Sequence, residues 1–213
     1  EAVLRCAGAT SDLPEFSLDN LQQMLTQFGP AESWRDTFTI AVAMWLGKRS
    51  SKQASLTNEC DQAIVEELYH AVSQCARRLN TAEAHLACWT LEKILDPETN
   101  HRSLACALQQ IDDQCPPEIA YEIYCESASV ARASDQAPVA KRLLMTGAIP
   151  LFPERYCAFE LLGDACHGLE ERQEATAAYL RAWRLCGDRS LELGIKLAES
   201  LTQIGMHEQA RRL

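Results

Sequence analysis

The side chains that could do chemistry are scattered. Five His stand at 70, 85, 101, 167 and 207, each in a different stretch of the chain. Cys166 and His167 are neighbours, so on a helix they point about 100° apart and cannot act as a nucleophile and its base. Cys157, Cys166 and His167 are the best metal-ligating set by sequence proximity, but they have no C-x-x-C or other zinc spacing. His207-Glu208 starts like the H-E-x-x-H zinc-protease pattern, but Arg211 takes the place of the second His. There is no P-loop and no G-x-G-x-x-G. The carboxylate pairs Glu66-Glu67, Asp112-Asp113 and Glu170-Glu171 read as solvated helix ends or faces. The expectation is a chain with no catalytic residues, no metal and no cofactor.

What must position these residues is helical throughout. The 213 residues carry only 9 Gly and 8 Pro, below the combined average of about 12%, which disfavours a turn-rich sandwich or barrel. Apolar residues recur at three- and four-residue spacing, and no stretch alternates cleanly enough for a strand. The pattern predicts helices at 17–28, 31–48, 58–79, 82–95, 101–113, 117–133, 137–147, 154–168, 171–185, 190–204 and 207–213. Asn80 with Glu83 reads as a capping pair, and Pro117 and Pro153 suit first helical turns. Gly29-Pro30, Gly47 and Gly187-Asp188 read as helix ends. From residue 80 onward the connections are short, which forces antiparallel neighbours. Residues 47–57 form the one Ser/Lys-rich stretch, a candidate loop or boundary.

Charge and cysteine content narrow the partners. With 20 basic and 30 acidic residues the net charge is −10, which disfavours nucleic acid. The longest apolar stretch, Phe38 to Leu46, falls well short of the roughly 20 residues of a membrane span. Most of the ten cysteines fall within helical patterns, where they read as reduced, half-buried thiols. That implies a cytoplasmic setting. If the cysteines are paired, the setting is secreted or periplasmic. Trp34, Trp45, Trp89 and Trp183 sit at helical spacing among apolar residues and read as core, except Trp34, which stands near an expected helix start.

A period of 35 residues runs through the chain. Ala105, Ala140, Ala175 and Ala210 are evenly spaced by it, as are Trp89, Tyr124 and Phe159. Ala128, Gly163 and Ala198 form a column of small residues, Leu162 and Leu197 recur, and so do Leu144 and Tyr179. Small residues at a fixed place let two helices cross closely.

In residues 156–190 this pattern resembles the tetratricopeptide repeat (TPR) family. Phe159 stands at the first aromatic position, Leu162-Gly163 at the Leu-Gly pair, and Ala175, Tyr179 and Ala182 at the small-aromatic-small positions of the second helix. Cys166 replaces the usual Tyr and Gly187 the usual Pro, and the period exceeds the family's usual length of about 34 by one. Leu197-Ala198, Leu201, Gly205 and Ala210 continue the pattern. The resemblance implies an all-α superhelix of antiparallel helical hairpins, a TPR-like solenoid. Residues 1–85 would be a divergent N-terminal helical region. Residues 86–213 would hold repeats near 86–120, 121–155, 156–190 and 191–213, the last incomplete. An incomplete repeat leaves apolar surface open, so the expectation is a segment of a longer protein, or an end that is disordered or covered by a partner.

The resemblance also implies a non-catalytic scaffold or adaptor that binds a partner segment in a concave groove. In the family's register the groove residues are Glu122, Cys125, Ser129 and Arg132, then Glu160, Asp164 and His167, then Glu192, Ile195 and Glu199. Five carboxylates against one Arg make an acidic groove suited to a basic or apolar peptide or helix of another protein. Arg132 apart, the Lys, Arg and Asn with which the family's groove grips a C-terminal carboxylate are absent from these positions. Two other readings are a regulatory segment of a multidomain enzyme or transcription regulator, docked on a neighbouring domain, and a secretion- or envelope-associated protein.

Overall fold

The computed structural model describes residues 59–96, 101–187 and 190–213, and every element among them is helical. The chain divides into two compact units, with the boundary between Asp112 and Asp113. The helices expected at 17–28 and 31–48, the 47–57 stretch, Gly29-Pro30, Trp34 and Trp45 lie outside the described residues.

The described part of the first unit holds α1 (Glu59–Leu79), α2 (Ala82–Leu95) and α3 (Arg102–Gln109). Val65, Leu68, Val72 and Ala76 make one stripe of α1 and pack on Ala84, Ala87, Cys88 and Leu91 of α2. The cap at this turn differs from the sequence expectation. Asn80 takes a left-handed conformation (φ 49°), which Asn tolerates, and closes α1 by donating its N–H to the Ala76 carbonyl at 2.9 Å. The cap of α2 therefore passes to Thr81, whose hydroxyl oxygen accepts from the Ala84 N–H. The helix expected at 101–113 stops at Gln109. Carrying it through Asp112 and Asp113 would put two carboxylates on the negative end of its dipole.

The second unit is built from helical hairpins. The first is α4 (Pro117–Ala133) with α5 (Ala137–Leu143). The second is α6 (Tyr156–Gly168) with α7 (Arg172–Cys186), and α8 (Leu191–Gln203) is followed by the short α9 (His207–Ala210). The 35-residue period is visible in the backbone. Asp135, Glu170 and Gly205 all have positive φ (58°, 59° and 82°) at corresponding turns. Beside them the N–H groups of Gln136, Glu171 and Met206 donate to the carbonyls of Ala131, Cys166 and Leu201 at 2.8, 3.0 and 2.9 Å. This is the six-to-one bond that closes a helix through a left-handed residue.

The small-residue columns seat the helices. Ala140 and Ala175 are buried at 1% and 0% exposure. Ala210 is partly buried against the core that holds Ala175, whereas Ala105 faces solvent because α3 buries Leu104 and Ala107 instead. Gly163 lies against the Tyr179 ring so closely that an added Cβ would stand 2.4 Å from Cε1. Gly147 meets Tyr124 in the same way, at 2.5 Å.

Two local departures have identifiable causes. α5 does not stop at 147 but runs through a π turn (Leu144–Ala148) into a last α-helical turn (Ile149–Leu151). Pro150 has no N–H to give Thr146, and its ring crowds that carbonyl, so the Ile149 N–H reaches back to Leu144 instead. Pro153 precedes the helix rather than opening it. Phe152 meets Tyr121 edge-on at 5.4 Å, and Arg155 lies over both rings, so the chain turns helical only at Tyr156.

Candidate functional site

The expected groove residues all fall on the first helices of the three pairs. Glu122, Cys125, Ser129 and Arg132 lie on α4, Glu160, Asp164 and His167 on α6, and Glu192, Ile195 and Glu199 on α8. None is buried. Arg132, His167, Glu192, Ile195 and Glu199 are exposed, and the other five are half-buried. Helices α4 and α6 pack against each other. α8 reaches α6 through Lys196, a residue that the sequence reading did not single out.

Lys196 changes the character of this face. Its Nζ donates to Glu160 Oε1 at 2.9 Å and to Asp164 Oδ2 at 3.1 Å, and stands 3.7 Å from Glu192 Oε1. Asp164 also accepts from the Tyr179 hydroxyl at 2.8 Å. Burial works to lower the Lys196 pKa, but the bonds to Glu160 and Asp164 outweigh it and hold the ammonium above its ordinary value. Burial raises the Tyr179 phenol, and its bond to Asp164 adds to the rise, while the charge of Arg132 works the other way. Two of the five carboxylates are thus bound internally. Lys196 follows Glu160 by 36 residues and Asp164 by 32, about one repeat away.

The remaining positions are more open. His167 Nε2 and Gln203 Nε2 are 3.5 Å apart. Ile195 is 51% exposed, an apolar centre beside the exposed Glu192 and Glu199. Burial pushes the Cys125 thiol up to about 12. An open cleft of about 560 Å³ lies between α8 and α9, lined by residues that include Ala198, Glu199, Thr202 and His207.

The cluster with metal-ligating atoms is not the one that sequence proximity suggested. Cys166 is buried, Cys157 and His167 are exposed, and these three are not brought together as a ligand set. Instead the Cys166 sulfur lies with carboxylate oxygens of Glu171 and Glu174, all within 4.8 Å of one another. The Lys141 ammonium sits 2.5 Å from each carboxylate, so the chain supplies its own cation there. Burial raises the Cys166 thiol to about 11. In the first unit Glu92 Oε1 accepts from Ser103 at 2.7 Å and from Tyr69 at 3.2 Å, tying α1, α2 and α3 together. No helix among the described residues is long and apolar enough to cross a membrane.

Helical pairs in one register, with small residues at the crossings and a shared turn geometry, define a TPR-like helical-repeat fold. Known structures with TPR repeats share it. MamA of Desulfovibrio magneticus RS-1, residues 41 to the end, matches with a TM-score of 0.59 and 16% identity, over 82% of this chain and 90% of that one. PilF of Pseudomonas aeruginosa matches with a TM-score of 0.62 and 16% identity, over 83% of this chain and 74% of that one. No family profile and no curated protein matches the sequence. At this identity the likeness is one of fold.

Proposed function

We propose that the protein is a non-catalytic interaction scaffold that holds a segment of a partner protein along the face of α4, α6 and α8. The observation that carries this reading is the register. Three successive first helices present the same columns, 125/160/195 and 129/164/199, at positions that stay accessible, while their small-residue columns are buried or half-buried. Helical-repeat proteins use extended faces of this kind for binding. In the second unit Glu160, Asp164, Glu171 and Glu174 are tied to Lys196 and Lys141, which favours a binding role over acid–base chemistry for these four.

The partner segment is apolar with basic flanks. Ile195 offers the apolar contact, and Glu192 and Glu199 offer the acidic rim, while Lys196 offsets the charge of Glu160 and Asp164. Affinity would come from a few buried apolar contacts, and charge would set specificity. Photo-crosslinking tests this. A photoreactive residue at Ser129 or Ile195 should capture a partner from an extract of the source cells, and one at the exposed second-helix positions Met145 or Arg184 should not. Capture at all four positions alike, or at the last two only, would refute the face assignment.

A further inference from the structure

We infer that Cys125 and Cys157 are a redox-modifiable thiol pair that closes to a disulfide between α4 and α6 when the protein meets a small-molecule disulfide. The register places the two residues. At the next junction, Asp164 of α6 and Lys196 of α8 meet at 3.1 Å across a sequence separation of 32. Cys125 and Cys157 have the same separation and lie on the preceding pair of first helices, one helical turn nearer their starts. The 35-residue period places Glu160 where Cys125 stands and Glu192 where Cys157 stands, and those two carboxylates converge on one atom, Lys196 Nζ, at 2.9 and 3.7 Å. At the α4–α6 junction the position of Lys196 is held by Leu161, which offers no cation, and the two corresponding positions carry thiols.

The surroundings agree. α4 packs directly on α6. The charge of Cys157 adds to the rise that burial imposes on the Cys125 thiol. Cys157 is exposed and Cys125 half-buried, whereas Cys166 and Cys186 are buried. All four are thiols in this structure.

The chemistry is two exchanges with glutathione disulfide. The Cys157 thiolate attacks one sulfur, the S–S bond breaks, and one glutathione leaves as thiolate. Cys125 then loses its proton and attacks the Cys157 sulfur, expelling the second glutathione. Two protein thiols are oxidised, one disulfide is reduced to two glutathione thiols, and the two protein protons end on them. Burial keeps Cys125 protonated at neutral pH, so the second exchange is the slower. The link would bind together two helices of the proposed partner face and remove Cys125 from it; that consequence rests on the face assignment, while the link itself does not.

The test uses the full 213-residue chain. It is equilibrated with reduced and oxidised glutathione, its remaining thiols are alkylated, and a non-reducing digest is read by mass spectrometry. The expected product is a peptide pair joined through Cys125 and Cys157. Cys125→Ser should trap glutathione on Cys157, and Cys157→Ser should leave Cys125 unmodified, both with unchanged helical circular dichroism. A wild-type chain that keeps glutathione on Cys157, or joins Cys157 to Cys186, overturns the inference. In a second arm the linked protein should lose crosslinking through Ser129. If the link forms and that crosslinking persists, the thiol pair stands and the binding-face reading fails.

Discussion

Lys196→Met removes the ammonium that Glu160 and Asp164 share and leaves these two carboxylates, neighbours on α6, without a counter-ion at the contact with α8. The three side chains are 25%, 20% and 14% exposed, neither free in water nor sealed from it. Breaking a fully buried pair costs about 3–5 kcal/mol, and an exposed pair is worth about 0–1 kcal/mol. An intermediate loss of about 2 kcal/mol is expected, which for a chain of this length lowers the melting temperature by about 4–8 °C. The assay is thermal unfolding followed by circular dichroism, with the triple variant Lys196→Met, Glu160→Gln, Asp164→Asn measured alongside. Neutral amides in place of the carboxylates remove the stranded charge, so the triple variant should recover most of the loss. A shift below about 1 °C for the single variant, or no recovery in the triple, would refute the claim that Lys196 ties these layers together. For the same reason, reversing the charges of Glu160 and Asp164 would perturb the fold along with any binding.

Other outcomes follow from particular contacts. Gly163→Ala forces a Cβ into the Tyr179 ring and should cost about 1–3 kcal/mol in urea unfolding, whereas Gly194→Ala, whose Cβ would lie 3.1 Å from the edge of Trp183, should cost less. Equal effects would contradict the close seating of α6 on α7. The Ser127 hydroxyl is buried with no hydrogen-bond partner, so Ser127→Ala should stabilise the protein by about 1 kcal/mol, and a loss of stability would show that the hydroxyl is satisfied. The Lys141 bond holds the Glu171 carboxyl below its ordinary value, and the bonds to Glu171 and Glu174 hold the Lys141 ammonium above its own. A depressed carboxyl stabilises above its unfolded pKa of about 4.3 and loses that contribution as the pH falls through the folded value. A raised ammonium stabilises below about 10.4 and loses its contribution as the pH rises through the folded value. The tie should therefore hold from weakly acidic to weakly alkaline pH and loosen in acid. An NMR titration of the Glu171 carboxyl should show a midpoint below about 4.3 that moves up in Lys141→Met. A midpoint at or above the ordinary value in the wild type would contradict the tie.

The hairpins of the second unit were legible because helical periodicity and small-residue columns are sequence properties. Ala140 and Ala175 could be placed from spacing alone, as could Gly163 in a small-residue column, but its seat under the Tyr179 ring shows only in the structure. The turns were less legible. Gly205 announces a left-handed residue, but Asp135 and Glu170 adopt the same conformation without the glycine that would signal it. Asn80 closes one helix where it was expected to open the next, because a left-handed end and a cap draw on similar residue types. The face of the first helices was legible as a set of positions but not as a charge. Its acidity was counted residue by residue, whereas Lys196 neutralises part of it across a layer, and pairing at 32 and 36 residues shows only once the stacking register is known. The Lys141 tie to Glu171 and Glu174 was hidden for the same reason, at separations of 30 and 33.

Hydrogen–deuterium exchange with and without a captured partner bears most directly on the scaffold reading. Bound partner should slow exchange in peptides from α4, α6 and α8 and leave the exposed side of α7 unchanged. Slowing confined to α7, or spread evenly over both helices of each pair, would contradict it.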